Sequence, residues 1–398
     1  LIRTLLALSV VLAHSSFIFG YSIINAHLAV QTFYIISGFY MALILNEKYK
    51  NLWLFFSNRA LRLYPIYLSV LIFSVIFFYF TMQLEGDNPI NYFIKYKDNM
   101  NSSSFLFLIF TNITMIGQDA NLFMGLNQSG HLYFTPFYYK TDPKLYNFIF
   151  VPQAWTLGLE IWFYLLAPFL VRKNVKIIIM LIAICFGIRI FLAYNGLESD
   201  PWDYRFFPIE LGMFLLGVVS YKIYARYKSH PLNINTLKII MITIVAFTIL
   251  YIYFPLMDIV KYWLYAFTMF VALPWLFIYS KNNKLDRKIG DLSYVIYISH
   301  ILIINLIIII IPTINKSNWF GFVTCIATIL FSILLQIGVQ LPIERIRQRR
   351  VVYSDKATIL VNQTGNPDLA GSREIVVSHA LSAHTPKITG TNPPPATK

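Results

Sequence analysis

Arg3-Thr-Leu-Leu-Ala-Leu-Ser-Val-Val-Leu-Ala-His14 lies in an almost wholly apolar run, residues 1–19, that contains one arginine and one histidine. On a helix, about eleven residues complete roughly three turns, so both side chains lie on one face, roughly 16 Å apart along the axis. The run predicts a membrane span with Arg3 at one end and His14 near mid-depth. An ionisable group at that depth suggests a functional site, although a buried histidine bonded to a neighbouring helix is an equally good interpretation.

The composition of the chain predicts an all-α integral membrane protein. Of its 398 residues, 57% are hydrophobic and 13% are charged, whereas about 25% of the residues of a soluble domain are charged. The two cysteines, Cys185 and Cys325, both lie in apolar runs, so we expect neither a disulfide framework nor a metal site. The first apolar run lacks a small-residue cleavage site, so a cleaved signal peptide is not expected.

Ten apolar stretches are predicted as transmembrane helices. They are residues 1–20, 28–46, 63–84, 152–171, 175–194, 206–222, 237–255, 261–279, 291–312 and 319–341. With the amino end inside, twenty Lys and Arg residues fall in inner segments and seven in outer segments. This asymmetry predicts that both termini are cytoplasmic. The cations are spread over every inner loop, so the net charge of +14 does not indicate nucleic-acid binding.

The predicted bundle is followed by a tail and contains one long loop. Residues 1–345 are predicted to form the transmembrane bundle, and residues 346–398 a basic and then mostly disordered cytoplasmic tail, with a short strand-like piece at 357–362. Residues 85–151 are predicted to form a long extracytoplasmic loop, whose apolar stretch 105–116 is too short to span. The loop is rich in Asn, Ser, Tyr and Phe, which suits contact with a polar, ring-bearing ligand; a solvated loop with an interfacial helix is an equally good interpretation.

Two further spans carry ionisable groups that we predict to lie at the depth of His14. Glu160 lies about eight residues into the fourth span, and Ser293, Tyr297 and His300 share one face of the ninth. Two histidines and a carboxylate at one depth suit proton transfer, because histidine titrates near neutral pH and the acid can orient it. We therefore expect Glu160 to accept a hydrogen bond from His14 or His300. A structural polar network is the alternative.

A second group of candidates lies toward the predicted cytoplasmic side. Arg59 and Arg62 are one helical turn apart, and Arg3 begins the first span. Guanidinium groups suit phosphate, so the three arginines could form an anion site. Ser37, in the second span, belongs to a Ser-Gly pair that lets helices approach closely. Simple anchoring by positive charge on the inner side is the alternative interpretation for the arginines.

These residues resemble the membrane acyltransferase-3 family of O-acyltransferases. The first span matches the family pattern of Arg, ten residues and His. Four other motifs follow in family order, namely Phe33-Tyr-Ile-Ile-Ser-Gly-Phe39, Arg59-Ala-Leu-Arg-Leu-Tyr-Pro65, Trp155-Thr-Leu-Gly-Leu-Glu-Ile-Trp-Phe-Tyr164 and Ser293-Tyr-Val-Ile-Tyr-Ile-Ser-His300. Each motif alone is weak, but five in order are specific. Thr156 replaces a family serine and Ala29 a frequent glycine, while Arg205 and residues 210–217 resemble a less strict middle motif.

The resemblance implies transfer of an acyl group, usually acetyl, from cytoplasmic acyl-CoA to a hydroxyl of a carbohydrate or lipid-linked glycan, with no permanently bound cofactor. It also implies a multi-pass protein of the plasma (inner) membrane that acts on cell-envelope or secreted polysaccharides. A second copy of the chain, in a homodimer, is a further expected partner.

The residues are expected to divide the work as follows. Arg3, Arg59 and Arg62, with Ser37, would hold the donor, and His14 would be either a general base or a transient acyl carrier. Glu160 would orient the imidazole. Tyr297 and His300 would contact the oxyanion or position the acceptor.

Two other classes of protein could use the same polar residues. A secondary transporter would relay protons or coordinate a substrate through them, but it predicts Gly- and Pro-broken helices in corresponding halves, which the sequence does not display. A glycan- or lipid-binding membrane protein would use them without acyl transfer. Binding of CoA separates the enzyme from both.

Overall fold

The computed structural model describes residues 1–16, 18, 21–84 and 88–351. The chain divides into two compact units, Leu1–Gln340 and Leu341–Lys398. In the second unit, residues 341–351 are helical, and Arg347 and Glu344 form an ion pair within this segment. The predicted tail from residue 352 onward, with its strand-like piece at 357–362, lies outside the described residues.

The first unit is built almost entirely of helices. Its α-helices are α1 (Ile2–His14), α2 (Ala26–Glu47), α3 (Leu52–Phe80), α4 (Pro89–Tyr96), α5 (Ser102–Thr114), α6 (Trp155–Leu170), α7 (Val175–Tyr194), α8 (Phe207–Tyr227), α9 (Ile234–Leu250), α10 (Asp258–Ser280), α11 (Lys284–Ile310) and α12 (Phe320–Leu335). One π-helical turn, Gln336–Gln340, follows α12. Between α5 and α6, the strands β1 (Met124–Leu126) and β2 (Leu132–Phe134) form a small antiparallel hairpin.

The length and apolarity of these helices identify a multi-pass membrane protein. Among the described residues, eight helices are long and apolar enough to cross a membrane: α2, α3, α7, α8, α9, α10, α11 and the helix that begins at Phe320. Every predicted span overlaps a helix, but α1 has only 13 residues and α6 only 16, whereas a crossing needs about 20. The count of ten crossings therefore stays a prediction.

Asparagine marks the start of many of these helices. In seven of them the residue before the first turn is an asparagine whose side-chain oxygen accepts a backbone N–H. These residues are Asn25, Asn51, Asn88, Asn101, Asn174, Asn233 and Asn283. Each satisfies at least one of the N–H groups that a helix start leaves unpaired, and Asn283 satisfies two. An unpaired N–H group is especially costly where water is scarce.

Helix α2 lies at the centre of the bundle. It packs most extensively on α8 and also contacts α1, α6 and α10. Two glycines allow the close approach to α8: a Cβ atom on Gly38 would lie 1.8 Å from the Phe214 carbonyl oxygen, and one on Gly217 would lie 1.9 Å from that of Ile35. Helix α1 packs between α2 and α11, which brings the first and the eleventh helices together.

Two helix boundaries differ from the prediction in a way that matters for the site. Helix α1 ends at His14 rather than at residue 20, and Ser15 follows as the C-cap: both its backbone N–H and its hydroxyl donate to the Val11 carbonyl oxygen. Helix α3 begins at Leu52 rather than at residue 63, because Asn51 caps it there. As a result His14 lies at a helix end, not in the middle of a span.

Candidate active site

His14 and His300 form a pair where α1 packs against α11. Their ring centroids are 5.0 Å apart and their planes are inclined by 53°. The Nδ1 atom of His14 lies 2.8 Å from the Val10 carbonyl oxygen, and that of His300 lies 2.6 Å from the Tyr297 carbonyl oxygen. A carbonyl oxygen only accepts, so each Nδ1 carries the proton and a neutral ring keeps its lone pair on Nε2. The His14 ring is therefore a base at Nε2.

A cavity of about 370 Å³ opens beside His14. Its wall comes from the end of α1, the start of α2, α11 and the segments before α6 and α8. The lining residues are Val10, Ala13, His14, Ser22, Ile24, Asn25, Ala26, His27, Val30, Tyr146, Pro152, Gln153, Trp155, Tyr204, Arg205, Tyr297 and Ile301. The His14 side chain is exposed to it, whereas His300 is fully buried behind His14. Among the described residues that line the cavity, none is acidic.

One wall of the cavity is a stack of rings around a guanidinium group. The Arg205 guanidinium lies 4.5 Å from the ring centroid of Trp155 and 4.6 Å from that of Tyr204. Asp200 holds this guanidinium by two contacts of 2.6 and 3.1 Å. The imidazole of His27 stacks on Tyr204, with ring centroids 3.8 Å apart. Flat rings, a cation and an exposed imidazole suit a polar ligand with apolar ring faces.

Tyr297 also lines the cavity, and its hydroxyl both donates and accepts a hydrogen bond. It donates to the Gln153 carbonyl oxygen at 3.2 Å and accepts from the Thr156 hydroxyl at 2.9 Å. These bonds hold the ring in place, and the hydroxyl proton is already donated within the protein.

Glu160 is not a partner of either histidine. Its Oε1 atom accepts hydrogen bonds from the Ser37 hydroxyl, at 2.6 Å, and from the Tyr164 hydroxyl. The predicted hydrogen bond from His14 or His300 is wrong, because the groups lie at different levels. Trp155 lines the cavity with His14, and Glu160 follows five residues later on α6, about 7.5 Å farther along the axis.

The arginines that were predicted to bind an anion lie near Glu160 rather than near the cavity. Arg59 is 6% exposed, its Nε atom has no hydrogen-bond partner among the described residues, and its charge is within electrostatic range of Arg62, Tyr164 and Glu160. A buried guanidinium with an unused donor is suited to an anionic ligand.

Arg3 lies near the same end of the bundle. Its guanidinium is 5.6 Å from the ring centroid of Tyr40, one helical turn beyond Ser37 on α2, and it contacts Asp291 at 3.5 Å. On α11, Tyr294 donates to the Leu63 carbonyl oxygen of α3, next to Arg62. Four helices, α1, α2, α3 and α6, thus bring Arg3, Ser37, Arg59, Arg62 and Glu160 to one end, and we call these residues the inner cluster.

One face of α2 connects the cavity with the inner cluster. His27 and Val30 line the cavity, Phe33 contacts Tyr297, Ser37 bonds to Glu160, and Tyr40 contacts Arg3. Spacings of three and four residues place all five on one side of the helix. Between positions 31 and 40, only 33, 37 and 40 are partly exposed. Their contacts come from other helices, and we call this partly exposed face of α2, between the cavity and the inner cluster, the passage.

The sequence comparisons fit this arrangement of a buried helical bundle with a histidine site. Residues 1–337 match the acyltransferase-3 family profile, which is described as an acyltransferase domain. The chain therefore belongs to the acyltransferase-3 family and is an acyltransferase that transfers groups other than amino-acyl groups. Neither the search of curated proteins nor the search of solved structures gave a match.

Several cavity residues were not singled out from the sequence. His27, Tyr204 and Gln153 lie outside the recognised motifs, and Arg205 was noted only within a weak one. A histidine in the first turn of a span, directly after the capping Asn25, is the one signal that could have pointed to the site. The other residues come from loops, whose position depends on the fold.

Proposed function

We propose that the enzyme transfers an acetyl group from cytoplasmic acetyl-CoA to a hydroxyl of a carbohydrate or lipid-linked glycan that enters the cavity from the other side of the plasma membrane. The observation that carries this proposal is the passage along α2, which joins a basic cluster to a ring-lined cavity with an exposed histidine. Ten crossings and two cytoplasmic termini are part of the proposal.

The donor would bind at the inner cluster. Coenzyme A carries a pyrophosphate and a 3′-phosphate, and each charge-assisted hydrogen bond from Arg3, Arg59 or Arg62 would contribute about 1.5–3 kcal/mol. Glu160, held by Ser37, would keep Arg59 from carrying an uncompensated charge when no donor is bound. The pantetheine arm would then extend along the passage, with the thioester toward His14.

The acceptor hydroxyl would be activated by His14. Its Nε2 atom would remove the hydroxyl proton as the oxygen attacks the thioester carbonyl carbon. The tetrahedral intermediate would then collapse, the C–S bond would break, and the imidazolium would return the proton to the departing thiolate. The second pathway is attack by Nε2 itself on the thioester carbonyl carbon, which would break the C–S bond, release the CoA thiolate and leave the acyl group on the imidazole. The acceptor oxygen would then attack that acyl group and free His14, and the hydroxyl proton would pass to the CoA thiolate.

The test uses purified protein, acetyl-CoA labelled in the acetyl group and a crude glycan fraction. His14→Ala is expected to abolish transfer, by at least about 100-fold, because it removes the base or carrier, while CoA binding stays near that of the wild type. His131→Ala, in an exposed loop, is the matched control and should be fully active. Full transfer by His14→Ala would contradict the proposal.

The same preparation separates the two pathways. Without acceptor, an acyl-imidazole pathway exchanges labelled CoA into acetyl-CoA, whereas direct transfer does not. Absence of CoA binding by the wild-type protein would overturn the assignment of the donor site.

A further inference from the structure

One pair of rings lies along the passage, between the cavity and the inner cluster. Phe33 and Tyr297 meet edge to face, with ring centroids 6.2 Å apart and planes inclined by 65°. Tyr297 belongs to the cavity wall. Ser37, one turn from Phe33 on α2, belongs to the inner cluster through its bond to Glu160. The ring pair therefore lies at the boundary between the two sites.

The two rings differ in how firmly they are held. Tyr297 is 8% exposed, and its hydroxyl bonds to both Thr156 and Gln153. Phe33 is only partly buried, although it faces other helices of the bundle, and its ring has no polar anchor. Phe33 is thus the less constrained ring of the pair.

A boundary of this kind is required if two substrates arrive from opposite sides. Donor and acceptor must meet at His14, while water and ions must not cross the bundle. In the proposed binding mode, the thioester and its acyl group pass the edge of the Phe33 ring to reach His14. Each extra methylene in the acyl chain then needs room beside that ring, or beyond it in the cavity where the acceptor binds.

We propose that Phe33 closes the passage against Tyr297 and is the residue that restricts the donor to a short acyl group. This inference rests on the proposed function and adds a residue that determines the donor class. It assigns no chemical step to Phe33, which acts by shape alone.

The test compares Phe33→Ala with the wild type, using acetyl-CoA and hexanoyl-CoA as donors and the same glycan fraction as acceptor. The ratio of kcat/KM for hexanoyl over acetyl transfer is expected to rise at least about tenfold in the variant, because one methylene group alone changes specificity by roughly 10–200-fold. Hydrolysis of acetyl-CoA without acceptor should also increase, because water gains access to the thioester.

Phe73→Ala is the matched control. It removes the same kind of ring, but from α3, where Phe73 is 45% exposed and contacts Phe331. Neither of these two residues belongs to the passage. Its donor ratio should equal that of the wild type. If Phe33→Ala does not fold, Phe33→Leu keeps apolar bulk and should shift the ratio in the same direction by a smaller factor.

The outcomes separate this inference from the proposed function. An unchanged donor ratio in an active Phe33 variant would overturn the role of Phe33 and leave acyl transfer intact. A wild-type protein that transfers neither group to any glycan, while binding CoA, would instead overturn the proposed acceptor.

Discussion

The Nδ1 atoms of His14 and His300 illustrate how single residues determine the chemistry of this site. Both atoms donate to carbonyl oxygens of their own helices, three or four residues earlier. The tautomer is therefore set by local helix geometry, without a carboxylate. Most histidine sites rely on an acidic partner for this purpose, and that expectation led to the incorrect prediction for Glu160.

Glu160→Gln tests the corrected role of this carboxylate. A carboxylate beside His14 would raise the histidine pKa, so its removal would move the acid limb of the pH–rate profile to lower pH. Because Glu160 bonds instead to Ser37 and Tyr164, we expect the acid limb to shift by less than about 0.3 unit. The donor KM should fall, since Arg59 loses a competing negative charge.

The measurement is a pH–rate profile of the purified variant with saturating acceptor, together with the donor KM at one pH. The conservative substitution retains a side-chain oxygen that accepts hydrogen bonds, so the protein should fold normally. An acid limb that moves by a full unit would restore a direct link between Glu160 and a histidine.

At the scale of helices, the contact between α2 and α8 fixes the position of α2. The backbones approach so closely at Gly38 and Gly217 that any side chain would overlap a carbonyl oxygen. Close approach of this kind replaces hydrophobic driving force in membrane bundles, where lipid is as apolar as the helix surface. A shift of α2 would displace His27, Phe33 and Ser37 together.

Gly38→Ala and Gly217→Ala are therefore expected to destabilise the protein by about 3 kcal/mol or more, as severe overpacking does. The measurement is the folded fraction in detergent after heating, compared with expression level. Gly187→Ala on α7 is the control, because a Cβ atom there meets nothing within 4 Å; it should be neutral or stabilise by up to about 1 kcal/mol. Equal behaviour of the three variants would contradict the close-contact argument.

For the whole molecule, the distribution of positive charge predicts the orientation in the membrane. The excess of Lys and Arg in the predicted inner segments predicts that both termini are cytoplasmic. In that orientation the inner cluster would lie on the side of the proposed donor, acetyl-CoA, and the cavity with the 88–154 segment would lie on the other side. A measurement of membrane topology is therefore also a test of the side from which each substrate is proposed to enter.

Reporter fusions give the corresponding prediction. A reporter after Arg350 or after Ser229 should read cytoplasmic, and one after Ser129, in the β1–β2 turn, should read extracytoplasmic. Two reporters should be fused at each site, one active only in the cytoplasm and one active only outside it. A poorly expressed fusion is then inactive with both reporters and is not mistaken for a result on topology. An extracytoplasmic carboxyl end would rule out ten crossings, and would require α1 or α6 to stay within one leaflet.

The sequence by itself determined the class of this protein and the residues of its family motifs. Apolar stretches long enough to span a membrane and the Arg3–His14 spacing are local properties, and helices depend on local properties. For the same reason the positions of most helices followed from the sequence. The end of α1 at His14 and the start of α3 after the capping Asn51 did not, because a hydrophobicity pattern does not locate caps.

Only the tertiary structure decided which of these residues meet. His14 and His300 pair because α1 packs on α11, whereas Glu160 lies farther along α6 and bonds to Ser37 of α2. The cavity wall of His27, Tyr204 and Arg205 comes from segments far apart in the chain. Such contacts depend on how helices are ordered and how closely their glycines let them approach, and no periodicity within a single helix contains that information.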